Sequence, residues 1–225
     1  MRIDILTLFP EMFKGFLETS IIKRAIDSSK VSINLINFRD YTLDSHGKVD
    51  DTPFGGGAGM VLMIQPIYDA LMDIKTKDSH VILLSPGGRL FNQKEAKRLK
   101  NYKHLILICG HYEGFDDRIK AVIDEEISIG EFVLSGGELP AMVISDAVIR
   151  LVEGVISKDS LESESFDSNL LDYPVYTKPR EFKGMKVPEV LLSGDHKKIA
   201  DYRKKEQLRL TEERNKKMNL NQGGD

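Results

Sequence analysis

Two short segments, "HVILLSP" (80–86) and "HLILICG" (104–110), are apolar almost without interruption. A strand reads this way when both of its faces are covered, which calls for helices on both sides of a largely parallel sheet. The flanking sequence supplies both kinds of element. "RIDILTLF" and "VSINLINF" read as strands, and Pro10 opens a helix through about Ser28, since proline is tolerated in a first helical turn. Residues 42–60 form a polar, glycine-rich loop ending in "PFGGGAGM". Residues 64–75 are helical, 92–102 form a basic helix, "EEISIGEFVL" is a further strand, and a helix runs from about Glu138 to Glu153. The expected fold class is α/β with a mostly parallel sheet over residues 1–156. A polar, non-periodic linker follows at 157–169, "SKDSLESESFDSN", and then a small helical C-terminal domain at 170–225. In that last segment Ile199, Tyr202, Leu208 and Leu210 mark the apolar positions of a largely charged helix.

Three strand ends share one property. "LLSPGGR" (83–89), "LICGHYEG" (107–114) and "ISIGEFVLSGG" (127–137) each follow an apolar strand with glycine-rich sequence. Taken singly, such glycines are turn residues. Three on one rim of a parallel sheet are different, because ligands collect at the carboxyl ends of parallel strands. Bare backbone there can offer N–H and C=O groups to a flat polar ligand such as adenine or ribose. The dinucleotide pattern G-x-G-x-x-G does not follow the first strand, and G-x-x-x-x-G-K-[ST] is absent.

Composition narrows the class further. The single cysteine, Cys109, excludes a disulfide framework and a cysteine-based zinc site. His46, His80, His104 and His196 lack metal-ligand spacing, so no metal ligand is assigned. No run of eighteen apolar residues and no signal-peptide pattern is present, and the expected setting is the cytoplasm, away from membranes. The net charge of −3 hides an asymmetry: residues 170–225 balance to +4 and residues 1–169 to −7. A polyanion is therefore expected at the C-terminal quarter.

"PFGGGAGM", "LLSPGGR", "LICGHYEGFDDR", "EISIGEFVLSGGELPAM", "SESF…LLDYPVYT" and "VPEVLLSGDH" occur in an order and spacing that resemble the bacterial tRNA guanine-N1 methyltransferases, over nearly the whole chain. The resemblance implies a SPOUT-class homodimer with a deep trefoil knot. Such an enzyme methylates the guanosine immediately 3′ of the tRNA anticodon, with S-adenosylmethionine as donor and Mg2+ as an accompanying ion. It implies that the three loops hold the donor through Leu84, Ser85, Pro86, Gly110, Tyr112, Glu113, Gly114, Ile129, Gly130, Phe132, Leu134, Gly136, Gly137 and Pro140. The family usually has tyrosine at Phe132, glutamine at Gly87 and arginine at His111.

The implied reaction has two demands. Guanine N1 carries a proton at neutral pH, so a base must remove it as the methyl transfers, and negative charge then builds on O6. The family's base precedes "SF" in the linker and is normally aspartate. Here it is Glu164, with Glu162 and Asp167 nearby. Arg150 matches a family arginine and would serve O6; on residues alone it would pair with Asp146 at i−4. Asp172 in "LLDYP" matches an acidic position linked to catalysis, and Val175 stands where the family has histidine. Glu113 would accept from the guanine Watson–Crick edge. For the anticodon arm, Lys178, Lys183, Lys186, Lys197, Lys198, Arg203 and Lys205 are phosphate candidates, and Tyr202 is a base-stacking candidate. In the family the active sites are composite across the dimer. Two other classes stay open on residues alone: a SPOUT enzyme of different RNA target, and a non-catalytic RNA-binding protein of the same fold. "LLDYP" and "VPEVLLSG", outside the donor loops, speak for the tRNA enzyme.

Overall fold

The computed structural model describes residues 1–157 and 170–222. The chain divides into two compact units, Met1–Ile156 and Ser157–Asp225.

In the first unit the strands are β1 (Arg2–Thr7), β2 (Ser32–Asn37), β3 (Asp50–Asp51), β4 (Val61–Leu62), β5 (Ser79–Leu90), β6 (His104–Ile108) and β7 (Glu125–Ser128). The helices are α1 (Lys14–Leu17), α2 (Ser20–Asp27), α3 (Ile64–Ile74), α4 (Gln93–Leu99) and α5 (Glu138–Ile149). Five strands form one sheet in the order β2-β1-β6-β5-β7, every pair parallel, while β3 and β4 make a small antiparallel pair.

Alternate residues of the central strands feed two separate cores. Ile3, Ile5, Ile82, Leu84, Leu105 and Leu107 pack with residues of α2, α4 and α5 on one face. Leu6, Val81, Leu83, Ile106 and Ile108 pack with α3 on the other. That is why β5 and β6 read as unbroken apolar runs: a strand with helices on both faces has no solvent side to mark with polar residues.

Five expected elements differ in extent. The helix expected from Pro10 to Ser28 is a 3-10 turn at Pro10–Phe13 followed by α1 and α2, with Ser20 at φ 53° after the break. Thr19 Oγ1 donates to the Gly15 carbonyl at 2.6 Å, a local side-chain bond that caps the interruption. β7 covers only Glu125–Ser128 of the expected "EEISIGEFVL", because Ser128 Oγ donates to the Gly130 carbonyl at 2.9 Å and turns the chain away. α5 ends at Ile149 rather than Glu153, and α4 is confined to Gln93–Leu99. β5 runs on to Leu90, beyond the expected end at Pro86.

The second unit holds the hairpin β8 (Glu181–Phe182) and β9 (Met185–Lys186), the short α6 (Glu189–Leu192), and the 27-residue α7 (His196–Gln222). Leu171 N–H donates to Thr211 Oγ1 at 2.9 Å, and the Arg203 guanidinium lies 4.7 Å from the Tyr173 ring centroid, so the chain at 171–173 is fastened onto α7. None of the described helices is long and apolar enough to cross a membrane.

Candidate functional site

The site is built where β5, β6 and β7 end. Leu84 and Arg89 of β5 both pair with Ile127 of β7, so Ser85–Gly88 leaves the ladder as a four-residue excursion between two paired stretches. Pro86 has no N–H to give a ladder, which suits it to such a position. After β6 the chain at 109–115 is tied to the loop before α3: Glu113 N–H donates to the Met60 carbonyl at 3.0 Å, and Leu62 N–H to the Gly114 carbonyl at 2.9 Å. Tyr112 sits there at φ 59° and Gly114 at φ 112°. After β7 the third loop returns to the second: His111 bridges Gly136, and Gly137 N–H donates to the Gly110 carbonyl at 2.9 Å just before α5 begins.

These loops enclose a cavity of about 420 Å³. All fourteen residues assigned to the donor site from the sequence line it, from Leu84 on the first loop to Pro140 in the first turn of α5. Its wall also takes in His111, Asp117, Lys120 and Glu126, none of which had been assigned a contact. Glu113, Asp117 and Glu126 give the wall three carboxylates against Lys120, whose ammonium is held above its usual pKa first by its hydrogen bond to Asp117. The cavity therefore favours a ligand with positive charge. Phe132, Val133 and Leu134 form an apolar rim; Phe132 is 53% and Val133 86% exposed.

The backbone is closely approached at these glycines, and the approaching group is the chain itself, where the sequence led us to expect a ligand. A Cβ at Gly137 would stand 2.6 Å from Cys109 Cα and 2.8 Å from Gly110 N. One at Gly88 would stand 2.5 Å from Ile127 N, and one at Gly110 would meet the Phe115 ring at 2.7 Å. These glycines let the loops close on one another. Gly137→Ala, which sets side chain against backbone, is expected to lower stability by about 1–3 kcal/mol or more. Gly87→Ala would come no nearer than 3.7 Å to Ser85 Oγ and is expected to stay within about 0.5 kcal/mol of wild type. Denaturant melts of the two variants check this contrast.

Beneath the loops Cys109 is fully buried, and burial first, then the charge of Glu138, pushes its thiol well above the usual pKa. That thiol is inert packing. Glu138, 1% exposed, accepts from Thr7 Oγ1 at 2.7 Å and lies 2.7 Å from His111 Nε2.

Of the remaining sequence-assigned residues, Arg150 belongs to the same unit and is not among those that line this cavity. Arg150 caps the far end of α5, about 18 Å from Glu138 at 1.5 Å per residue. Glu164, with Glu162 and Asp167, lies outside the described residues. Asp172, Lys178, Lys197 and Arg203 are exposed in the second unit. Tyr202 is half-buried there, its phenol pKa raised by burial and then by a hydrogen bond with Tyr176.

The family model described as tRNA (Guanine-1)-methyltransferase TrmD matches residues 1–221. A relative from Malacoplasma penetrans (strain HF-2), named tRNA (guanine-N(1)-)-methyltransferase, is 59% identical over 211 residues, covering 94% of this chain and 93% of its own. Proteins of the same name from Dictyoglomus turgidum and Clostridioides difficile are 58% and 50% identical. The first of these two alignments covers 94% of this chain and 86% of the relative, the second 95% of each. With a match that spans both the cavity-bearing unit and the helical one, the chain belongs to the tRNA (Guanine-1)-methyltransferase TrmD family.

Proposed function

We propose that this chain transfers the methyl group of S-adenosylmethionine to N1 of the guanosine immediately 3′ of the tRNA anticodon. The observation that carries the reading is the cavity formed by three glycine-rich loops at the carboxyl ends of parallel strands, in a member of this family.

The cavity suits that donor. Its volume falls in the range of small-molecule sites, and its acidic wall complements a sulfonium and an α-ammonium group. The fourteen lining residues named above are the donor contacts in this reading. Bound there, S-adenosylmethionine supplies a methyl group activated by its sulfonium. The protein's part is to hold the guanine, take the N1 proton and stabilise charge on O6. Glu164 accepts the proton, Arg150 donates to O6, Glu113 receives the Watson–Crick edge, and Asp172 supports the base. No group of three or more His, Cys, Asp or Glu side chains suited to a metal such as Mg2+ occurs among the described residues.

The separation of Arg150 from the cavity along α5 favours active sites composed across a homodimer. So does the outer face of α5, where Leu139 and Val143 are 50% and 47% exposed on a helix whose other side is core. An apolar helix face of this kind calls for a covering partner. The reading includes a deep trefoil knot, which the resemblance to this family implies. The anticodon arm is held by the second unit through Lys178, Lys197, Tyr202 and Arg203. The cytoplasm is where that substrate is found.

The test is methyl transfer from labelled donor to an unmodified tRNA transcript. Label is expected on the transcript and is expected to vanish when the target guanosine is replaced by adenosine. Equal labelling of the two transcripts would sink the assignment.

A further inference from the structure

Glu138 begins α5 almost wholly out of solvent, and a buried carboxylate needs a partner at each oxygen. Thr7 Oγ1 supplies one at 2.7 Å, and His111 Nε2 supplies the other at 2.7 Å. A carboxylate only accepts, so the imidazole carries a proton on Nε2 and donates it. The same ring meets Phe9 edge-on with centroids 4.7 Å apart, while the His111 backbone bridges Gly136. His111 thus joins the segment after β1, the second loop, the third loop and α5, and it stands on the cavity wall. Gly136 is bare to admit it: a Cβ there would lie 2.5 Å from His111 Nε2 and 2.6 Å from Glu138 Oε2. The next two residues are Tyr112 and Glu113, both on the cavity wall, with Tyr112 in the left-handed region at φ 59°. A tyrosine keeps that conformation only when its surroundings impose it.

We propose that His111 is a positioning residue for the cavity: anchored on Glu138, it holds Tyr112 and Glu113 in the arrangement that receives the methyl donor. This rests on the reading of the cavity as the donor site.

The experiment is calorimetric titration of S-adenosylmethionine into the full-length protein, with tRNA affinity and melting temperature measured alongside. His111→Leu keeps apolar bulk against Phe9 and removes the donor to Glu138. It is expected to weaken S-adenosylmethionine binding roughly tenfold or more, as for loss of a hydrogen bond to a charged group. His111→Gln restores an N–H to the carboxylate and is expected to bind within about threefold of wild type, the cost of imperfect geometry at a hydrogen bond. tRNA affinity stays within about twofold in both, since the phosphate contacts lie elsewhere. A purely structural role would lower the melting temperature of the Leu variant and leave its donor affinity untouched, which would overturn the proposal. Equal losses in the Leu and Gln variants would overturn it too. If the Leu variant does not fold, Glu138→Gln decides. Thr7 and His111 bond different oxygens, so one of them meets an NH2 in place of an acceptor. A loss of about threefold or more supports the proposal, and wild-type affinity overturns it. A wild-type protein that binds no S-adenosylmethionine would overturn the cavity reading itself, and this proposal with it.

Discussion

Glu164→Gln is expected to lower turnover by ~10²-fold or more, the scale on which a positioned general base acts. Donor affinity and tRNA affinity are expected to stay near wild type, because glutamine keeps the size and polarity of the side chain and removes only its ability to accept the N1 proton. The effect should therefore fall on kcat and on kcat/KM together, as for a group that acts in the transition state. Glu164→Asp, which restores the carboxylate usual in the family, should retain activity. Single-turnover methylation at saturating donor and tRNA checks the pair. If Glu164→Gln turns over nearly as fast as wild type, the base lies elsewhere, and Asp167 is the first residue to examine.

Recovery of activity from two inactive proteins is the second large effect. Leu134→Arg places a cation on the cavity wall, at a rim residue that is 37% exposed and so tolerates change. It is expected to block the cationic donor while leaving Glu164 sound. Glu164→Gln has the opposite defect. If each site takes its cavity from one subunit and its base from the other, a heterodimer collects both lesions in one site and leaves the other intact. Equal mixing with full exchange puts roughly half the protein in heterodimers, so roughly a quarter of all sites should work, by twofold symmetry. The subunits are unfolded and refolded together, and wild type treated the same way is the reference. Activity no higher than the sum of the separate mutants, with mixed dimers verified by a tag, would mean that cavity and base belong to one subunit.

The sheet could be read from the chain because burial on both faces leaves a mark that survives without structure: Val81–Leu84 and Leu105–Ile108 have no polar side, and each feeds two cores in alternation. The cavity wall could be read because its residues cluster at three strand ends. Local chemistry hid the rest. Nothing in "EEISIGEFVL" announces that Ser128 will turn the strand after four residues, since that depends on one hydroxyl bond to Gly130. The role of the glycines was legible only as a need for close approach. Which atoms approach is a tertiary fact, and here it is Cys109 behind Gly137 and Ile127 behind Gly88. The His111–Glu138 pair joins residues 27 apart in sequence through a buried contact that no spacing rule marks. Lys120 and Glu126 reach the wall from a 3-10 turn and from β7, elements with no motif of their own. The distance from Arg150 to Glu138 follows from the rise of the helix α5 between them.

One atom of one nucleotide is expected to receive the methyl group, and its position on the transcript can be located. N1 lies on the Watson–Crick edge, so a methyl there blocks pairing and halts reverse transcription beside the modified base. After incubation with donor, an unmodified tRNA transcript is expected to arrest extension at the guanosine immediately 3′ of the anticodon. Nucleoside mass spectrometry is expected to find 1-methylguanosine as the new species. Methylated transcript that is read through at that guanosine, or that carries its methyl on another base or another atom, would contradict the account.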